Sequence, residues 1–214
     1  MHSVKVVPAI LTDDPIELAR LVALANGFAP FVQVDIMDGA FVPTRSVDMA
    51  DLCEQDIRFL WEAHLMVADP LAYLSCCREA GASRVIFHIE SAEDPFAIVS
   101  RARELGLGVG VAVNPPTPVE DIAALLPVVD SVLLMTVFPG YYGAPFVPEV
   151  MSKVGQVRAA CSSVEIGVDG GVKEANLVEV ARYGVDVVCV GSAVFASPDP
   201  QSSYLRLVSL AQSL

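Results

Sequence analysis

Val32-Gln33-Val34-Asp35-Ile36-Met37-Asp38-Gly39 alternates polar and apolar residues at strand period and then breaks at a glycine. Gln33, Asp35 and Met37 share one face of such a strand, while Val34, Ile36 and Asp38 share the other. A carboxylate between a carboxamide and a thioether, near the end of a strand made for burial, carries a desolvation cost that calls for a purpose.

Apolar runs of similar length recur along the chain at 5–11, 31–37, 60–67, 84–90, 108–114, 131–137, 164–169 and 187–191. Each precedes a segment of helical periodicity, at 15–25, 47–55, 70–80, 95–105, 119–125, 148–161, 174–182 and 201–212, with 47–55 the weakest. Pro15 behind Asp13-Asp14 is a clear helix start. Eight strand–helix alternations in 214 residues predict one (β/α)8 TIM barrel, a single domain over 1–214. The Val/Ile/Leu-rich strands suit a parallel sheet covered by helices. A dinucleotide-binding doubly wound sheet needs a glycine-rich first turn, and Thr12-Asp13-Asp14-Pro15 has no glycine.

Barrels of this kind place their chemistry at the C-terminal ends of the strands. Those ends carry Asp35 and Met37, His64 and Met66, His88 and Glu90, Asn114, Thr136, Asp169, and Gly191-Ser192. The opposite rim is expected to have little to match. Asp35 and Asp169 could face each other across a substrate as the two bases of a proton transfer, one on each face of a carbon. An enediolate formed that way needs stabilisation, and Gln33, Asp35, His64 and Asp169 would supply oxygen and nitrogen ligands to a divalent metal. His88 and Glu90 form either an outer support for that centre or a packing pair. Phe138-Pro139-Gly140-Tyr141-Tyr142-Gly143 reads as a glycine-punctuated lid, and Gly170-Gly171 and Gly191-Ser192 follow strands seven and eight, where such barrels bind phosphate.

Absences narrow the field. The lysines are Lys5, Lys153 and Lys173, none in the C-terminal half of a predicted strand, which disfavours a Schiff-base aldolase. A decarboxylase of the Asp-x-Lys-x-x-Asp type would need a lysine where Met37 stands. The formal net charge of −13 argues against nucleic-acid and anionic-membrane partners. No apolar run reaches a membrane span and no export signal is evident, so a cytoplasmic location is expected. Cys53, Cys76, Cys77, Cys161 and Cys189 have no metal-type spacing and read as reduced thiols.

Val34-Asp35-Ile36-Met37-Asp38-Gly39, Phe41-Val42-Pro43, His64-Leu65-Met66-Val67, Asn114-Pro115, Met135-Thr136-Val137, Pro139-Gly140, Val168-Asp169-Gly170-Gly171 and Gly191-Ser192-Ala193 together resemble the ribulose-phosphate 3-epimerase family over essentially the whole chain. The resemblance implies a barrel of the ribulose-phosphate-binding type. It implies interconversion of ribulose 5-phosphate and xylulose 5-phosphate at C3, in the pentose phosphate pathway or carbon fixation. It implies Asp35 and Asp169 as the acid/base pair, one divalent ion (zinc, iron, manganese or similar), and Met37, Met66 and Met135 around the reacting centre. It further implies phosphate held around Gly143, Gly170-Gly171 and Gly191-Ser192, with Gly140 and Tyr141 in the substrate loop, and self-association into homo-oligomers.

The chain departs from the family pattern at the rim. Gln33 stands where the family has a histidine ligand, Ala9 where it has a serine, Ala40 for a histidine, Thr44 for an asparagine, and Gly140-Tyr141-Tyr142-Gly143-Ala144 for a Gly-Phe-Gly-Gly-Gln lid. An amide is a poorer ligand than imidazole for zinc or iron, so weaker metal binding or a preference for harder ions is expected. Three readings stay open. One is a metal-dependent epimerase of a pentulose or hexulose phosphate, another a non-catalytic sugar-phosphate-binding homologue, and the last a metal-free phosphosugar isomerase or lyase.

Overall fold

The computed structural model describes residues 4–140 and 144–213. Its strands are β1 (Lys5–Ile10), β2 (Phe31–Met37), β3 (Leu60–Met66), β4 (Arg84–His88), β5 (Gly108–Val113), β6 (Ser131–Met135), β7 (Glu165–Asp169) and β8 (Val187–Val190). Each pairs in parallel with its neighbours in sequence, and β8 closes on β1, giving a (β/α)8 barrel. The β2 bounds are those expected. β4 and β6 end earlier: β4 gives way to a 3-10 turn over Ile89–Ser91, and Thr136 leaves the ladder to donate through its N–H and hydroxyl to the Asp169 carbonyl at 2.7 and 2.9 Å.

The helices are α1 (Pro15–Ala25), α2 (Met49–Cys53), α3 (Pro70–Glu79), α4 (Pro95–Glu104), α5 (Ser152–Ala160), α6 (Leu177–Ala181), α7 (Ser192–Phe195) and α8 (Pro200–Gln212). One device starts four of them. Asp14-Pro15, Asp69-Pro70, Asp94-Pro95 and Asp199-Pro200 each place an aspartate at the N-cap, accepting from first-turn N–H groups, and a proline at the first helical position. These caps fix where the chain leaves the C-terminal rim.

Four predicted helices are shorter or different, and one of them, 47–55, is reduced to α2. The segment 119–125 forms only a 3-10 turn at Val119–Ile122, because Pro115, Pro116, Pro118 and Pro127 crowd it. The segment 148–161 divides into a 3-10 turn at Pro148–Met151 and α5, and 174–182 shrinks to α6. The one-turn helix α7 is too short to leave a periodic signal in the sequence.

Strand period separates two cores. Val34, Ile36, Leu65 and Phe87 face outward and pack against the helices. Val7, Ile86, Ala112, Leu133, Val187 and Cys189 fill the middle of the barrel. The N-terminal end of the lumen corrects the expectation of a plain rim. Glu62 is 1% exposed there and bonds Arg84 Nε at 2.5 Å; Arg84 Nη1 reaches Glu165 at 2.7 Å, and Glu165 takes Lys5 Nζ at 2.8 Å. These residues lie in the first half of their strands, where charges read as edge residues, yet the period of two points them into the lumen beneath His64 and Asp169.

Removing the central cation should be costly. Arg84→Met leaves the Glu62 and Glu165 carboxylates without their buried partner and is expected to destabilise the fold by about 3–5 kcal/mol. Chemical denaturation tests this, and a loss within error of zero would show that the cluster is solvated.

Candidate active site

β2, β3 and β7 bring the site together. Asp35 and His64 are cross-strand partners on β2 and β3, and Asp169 ends β7 beside Met135 on β6 and Cys189 on β8. His64 Nδ1 lies 3.0 Å from Asp35 Oδ1 and 3.4 Å from Asp169 Oδ2. Gln33 Nε2 donates to the same two oxygens at 2.9 and 2.8 Å. One ring nitrogen and one amide therefore bridge two carboxylates from distant strands. The Gln33 oxygen faces away, accepting from the Cys189 thiol at 3.1 Å.

Gln33 and His64 have no exposure, and Asp35 and Asp169 are 8% and 9% exposed. Burial alone would strip His64 of its proton, but hydrogen bonds and charges from Asp169 and Asp35 outweigh it and hold the imidazole up at about 10. Burial pushes the Asp35 carboxyl up, with Asp169 adding repulsion. Burial also opposes ionisation of Asp169, but His64 and Gln33 outweigh it and draw that carboxyl down. The centre is an imidazolium shared between carboxylates that would otherwise repel each other.

Above it opens a cavity of about 440 Å³. Asp35 and Asp169 reach its floor, with Met37, Met66 and Met135 around them, and Gly170, Gly171, Gly191 and Ser192 forming one wall. Gly140 lines it too; Tyr141 and Gly143, expected in the substrate loop, lie outside the described residues. Gln33 and His64 sit beneath the floor. Ala9 and Ala144 give the wall methyl groups where the family pattern has polar side chains. Sequence reasoning missed Glu17 and Leu21 of α1 and Phe195 and Ala196, which complete the wall; as ordinary positions on a helix face and after a short turn they carry no chemical signal.

A model of the Ribulose-phosphate 3 epimerase family matches residues 5–195. Ribulose-phosphate 3-epimerase of Mycobacterium tuberculosis is 36% identical over 210 residues, covering 94% of this chain and 90% of the relative. The enzyme of Schizosaccharomyces pombe is 35% identical over 208 residues, covering 94% and 91%. The chain belongs to the ribulose-phosphate 3-epimerase family. It is an enzyme, an isomerase acting on carbohydrates. Among solved structures, 3-hexulose-6-phosphate synthase of Salmonella typhimurium superposes with a TM-score of 0.73 at 17% identity, covering 98% of this chain and 99% of the other. At that identity the likeness extends to the fold alone.

Of the residues that the epimerase resemblance points to, Asp35, His64 and Asp169 converge, with donor atoms all within 4.8 Å of one another. Two oxygens and an imidazole nitrogen, inward and nearly buried, suit a divalent cation. Gln33 is adjacent, but its Nε2 faces the centre and its oxygen does not, because carboxylates attract donors. Thr44 ties Gly140 to the end of β2, its hydroxyl 3.0 Å from the Gly140 carbonyl and 3.2 Å from Met37 Sδ. Gly170 is fixed by packing, since at φ +112° a Cβ there would stand 2.4 Å from the Val137 side chain.

The shared imidazolium gives the metal-free protein a pH signature. The folded value for His64 of about 10 lies above the unfolded value of roughly 6.5, so its stabilisation is complete below pH 6.5 and is lost as pH rises through 10. Denaturation midpoints of chelator-treated protein should fall between pH 7 and 10. A flat profile would show that His64 is neutral.

Proposed function

We propose that this enzyme interconverts D-ribulose 5-phosphate and D-xylulose 5-phosphate by two-aspartate proton transfer at C3. The observation that carries the reading is that Asp35 and Asp169, from strands on different sides of the ring, share one buried histidine and both reach the floor of one cavity. One aspartate takes the C3 proton as the C–H electron pair moves into the adjacent carbonyl, giving an enediolate. The other returns a proton to the opposite face of C3, which inverts that centre. Met37, Met66 and Met135 exclude water and offer no competing acid. The backbone at Gly170, Gly171, Gly191 and Ser192 suits the phosphate, and Gly140 lines the same cavity.

A divalent cation such as zinc, iron or manganese, held by Asp35, His64 and Asp169, would supply positive charge beside the enediolate oxygens. Gln33 can join as a fourth donor once its amide turns, leaving its NH2 to the Cys189 sulfur. A neutral amide in that position favours weak binding. Assembly of both aspartates with His64 favours catalysis over a role as a non-catalytic binder, which would need neither. The reading extends to one (β/α)8 unit that self-associates, acts in the pentose phosphate pathway and resides in the cytoplasm. A rice relative 34% identical is named a cytoplasmic isoform, and no described helix is long and apolar enough to cross a membrane.

The test is proton exchange at C3 of ribulose 5-phosphate in D2O after loading with zinc, iron or manganese. Exchange is expected, and none with any of these ions would refute the reading for this sugar. Asp169→Asn should slow exchange by about 10²–10⁴-fold while inorganic phosphate still binds; full turnover would remove Asp169 from the chemistry. Gln33→His should tighten metal binding, and an unchanged affinity would place Gln33 outside the ligand set.

A further inference from the structure

A chain of hydrogen bonds leaves the centre on the side of His64 away from Asp35. His64 Nε2 is 3.0 Å from His88 Nε2, and His88 Nδ1 is 3.2 Å from Glu90 Oε2. The other oxygen, Glu90 Oε1, accepts the Asn114 backbone N–H at 2.7 Å and the Thr117 hydroxyl. The loop carrying those two donors is clamped by Lys153 of α5, whose ammonium donates to the carbonyls of Asn114, Pro115 and Thr117 at 3.0, 2.8 and 2.6 Å. Phe41 packs its ring against His88, with centroids 4.9 Å apart. The proton transfer uses neither His88 nor Glu90, yet His88 is wholly buried against a member of the centre.

The direction of each hydrogen bond follows from the two ends. A backbone N–H can only donate, so Glu90 Oε1 accepts. With Oε1 taken up by the Asn114 N–H and the Thr117 hydroxyl, the Glu90 carboxylate presents Oε2 as an acceptor. The hydrogen in the next bond must then belong to His88 Nδ1. Only one hydrogen fits between the two Nε2 atoms, and a His64 ring that turns Nδ1 to a cation flanked by Asp35 and Asp169 carries its hydrogen at Nε2, which leaves His88 a lone pair there. The 3.0 Å contact between the two Nε2 atoms is then a donation from His64 Nε2. In a neutral His64 that is its one hydrogen, and Nδ1, the nitrogen beside Asp35 and Asp169, keeps its lone pair.

We infer that His88 and Glu90 are positioning residues that hold His64 as its Nε2–H tautomer, so that Nδ1 is the nitrogen offered to a divalent cation. The inference rests on the reading of Asp35, His64 and Asp169 as a cation site. The opposite polarity is excluded by chemistry: an Nε2–H on His88 would set its Nδ1 lone pair against a carboxylate and leave His64 with a hydrogen pointing at the cation. Lys153 acts one step further out, by fixing the donors that orient Glu90.

The experiment uses the full chain labelled with 15N. Its three histidines, His2, His64 and His88, make long-range 15N–1H ring spectra simple enough to resolve each tautomer. The expected result is a neutral Nδ1–H ring for His88 in chelator-treated protein, and Nε2–H with a perturbed Nδ1 for His64 on adding zinc. In Glu90→Gln, either orientation of the amide sets a donor against a donor. That variant should mix or invert the His88 tautomer and weaken zinc binding, measured by chelator competition, by about 10–100-fold. Glu90→Asp keeps the acceptor and should recover much of the loss. An Nε2–H ring for His88 in the wild-type protein overturns the inference without recourse to any variant. So does Glu90→Gln that binds zinc with wild-type affinity and an unchanged His88 tautomer. A wild-type protein that takes up no zinc refutes the cation reading instead, while the His88 tautomer still decides whether the relay runs as inferred.

Discussion

Two carboxylates on the floor of one cavity repel each other, and the rest of the site depends on how that repulsion is met. The imidazole of His64 and the amide of Gln33 each reach both Asp35 and Asp169, so strands β2, β3 and β7 are joined through the lumen as well as around the wall. The neighbours then serve this junction. Thr136 holds the carbonyl of Asp169, Cys189 occupies the far end of the Gln33 amide, and His88 backs the imidazole. A polar group placed there without these partners would cost more than the surrounding apolar core returns.

The order of polar and apolar layers inside the barrel follows the same logic. The middle of the lumen is filled by side chains such as Val7, Ile86, Leu133 and Val187, with charged groups above and below. At the lower end Arg84 and Lys5 together match the charges of Glu62 and Glu165. At the upper end charge is left incompletely balanced, because two carboxylates share one imidazolium. That difference separates an ion cluster that holds strands in register from one that can exchange its proton or its cation.

Much of this was legible in the sequence, for physical reasons. Period-two alternation marks the strands, and the aspartate–proline pairs mark the helix starts. Asp35, His64 and Asp169 stand out because a polar residue late in an apolar run is rare without a partner. What stayed hidden had weaker local signals. Glu62 and Arg84 resemble strand-edge charges until the inward face is assigned. Lys153 sits in an unremarkable helix and acts on a loop from another strand. Even with Gln33 identified as the departure to watch, only geometry could tell which end of its amide meets the carboxylates. His88 and Glu90 were visible as a pair, but the direction of their hydrogen bonds depends on Asn114 and Thr117, well over twenty residues further along.

Gly170 illustrates how differently the residues of one site are constrained. Its backbone conformation and its contact with Val137 demand a glycine whether or not a phosphate ever arrives. A barrel that had lost its substrate would keep that glycine for the sake of its own fold, so its presence says little about chemistry. Asp35 and His64 are in the reverse position. An apolar pair would bury more comfortably, and nothing in the packing of the lumen asks for their charge. In descendants of such a chain, the glycines would therefore outlast the function, and the loss of the aspartate and the histidine would date its disappearance.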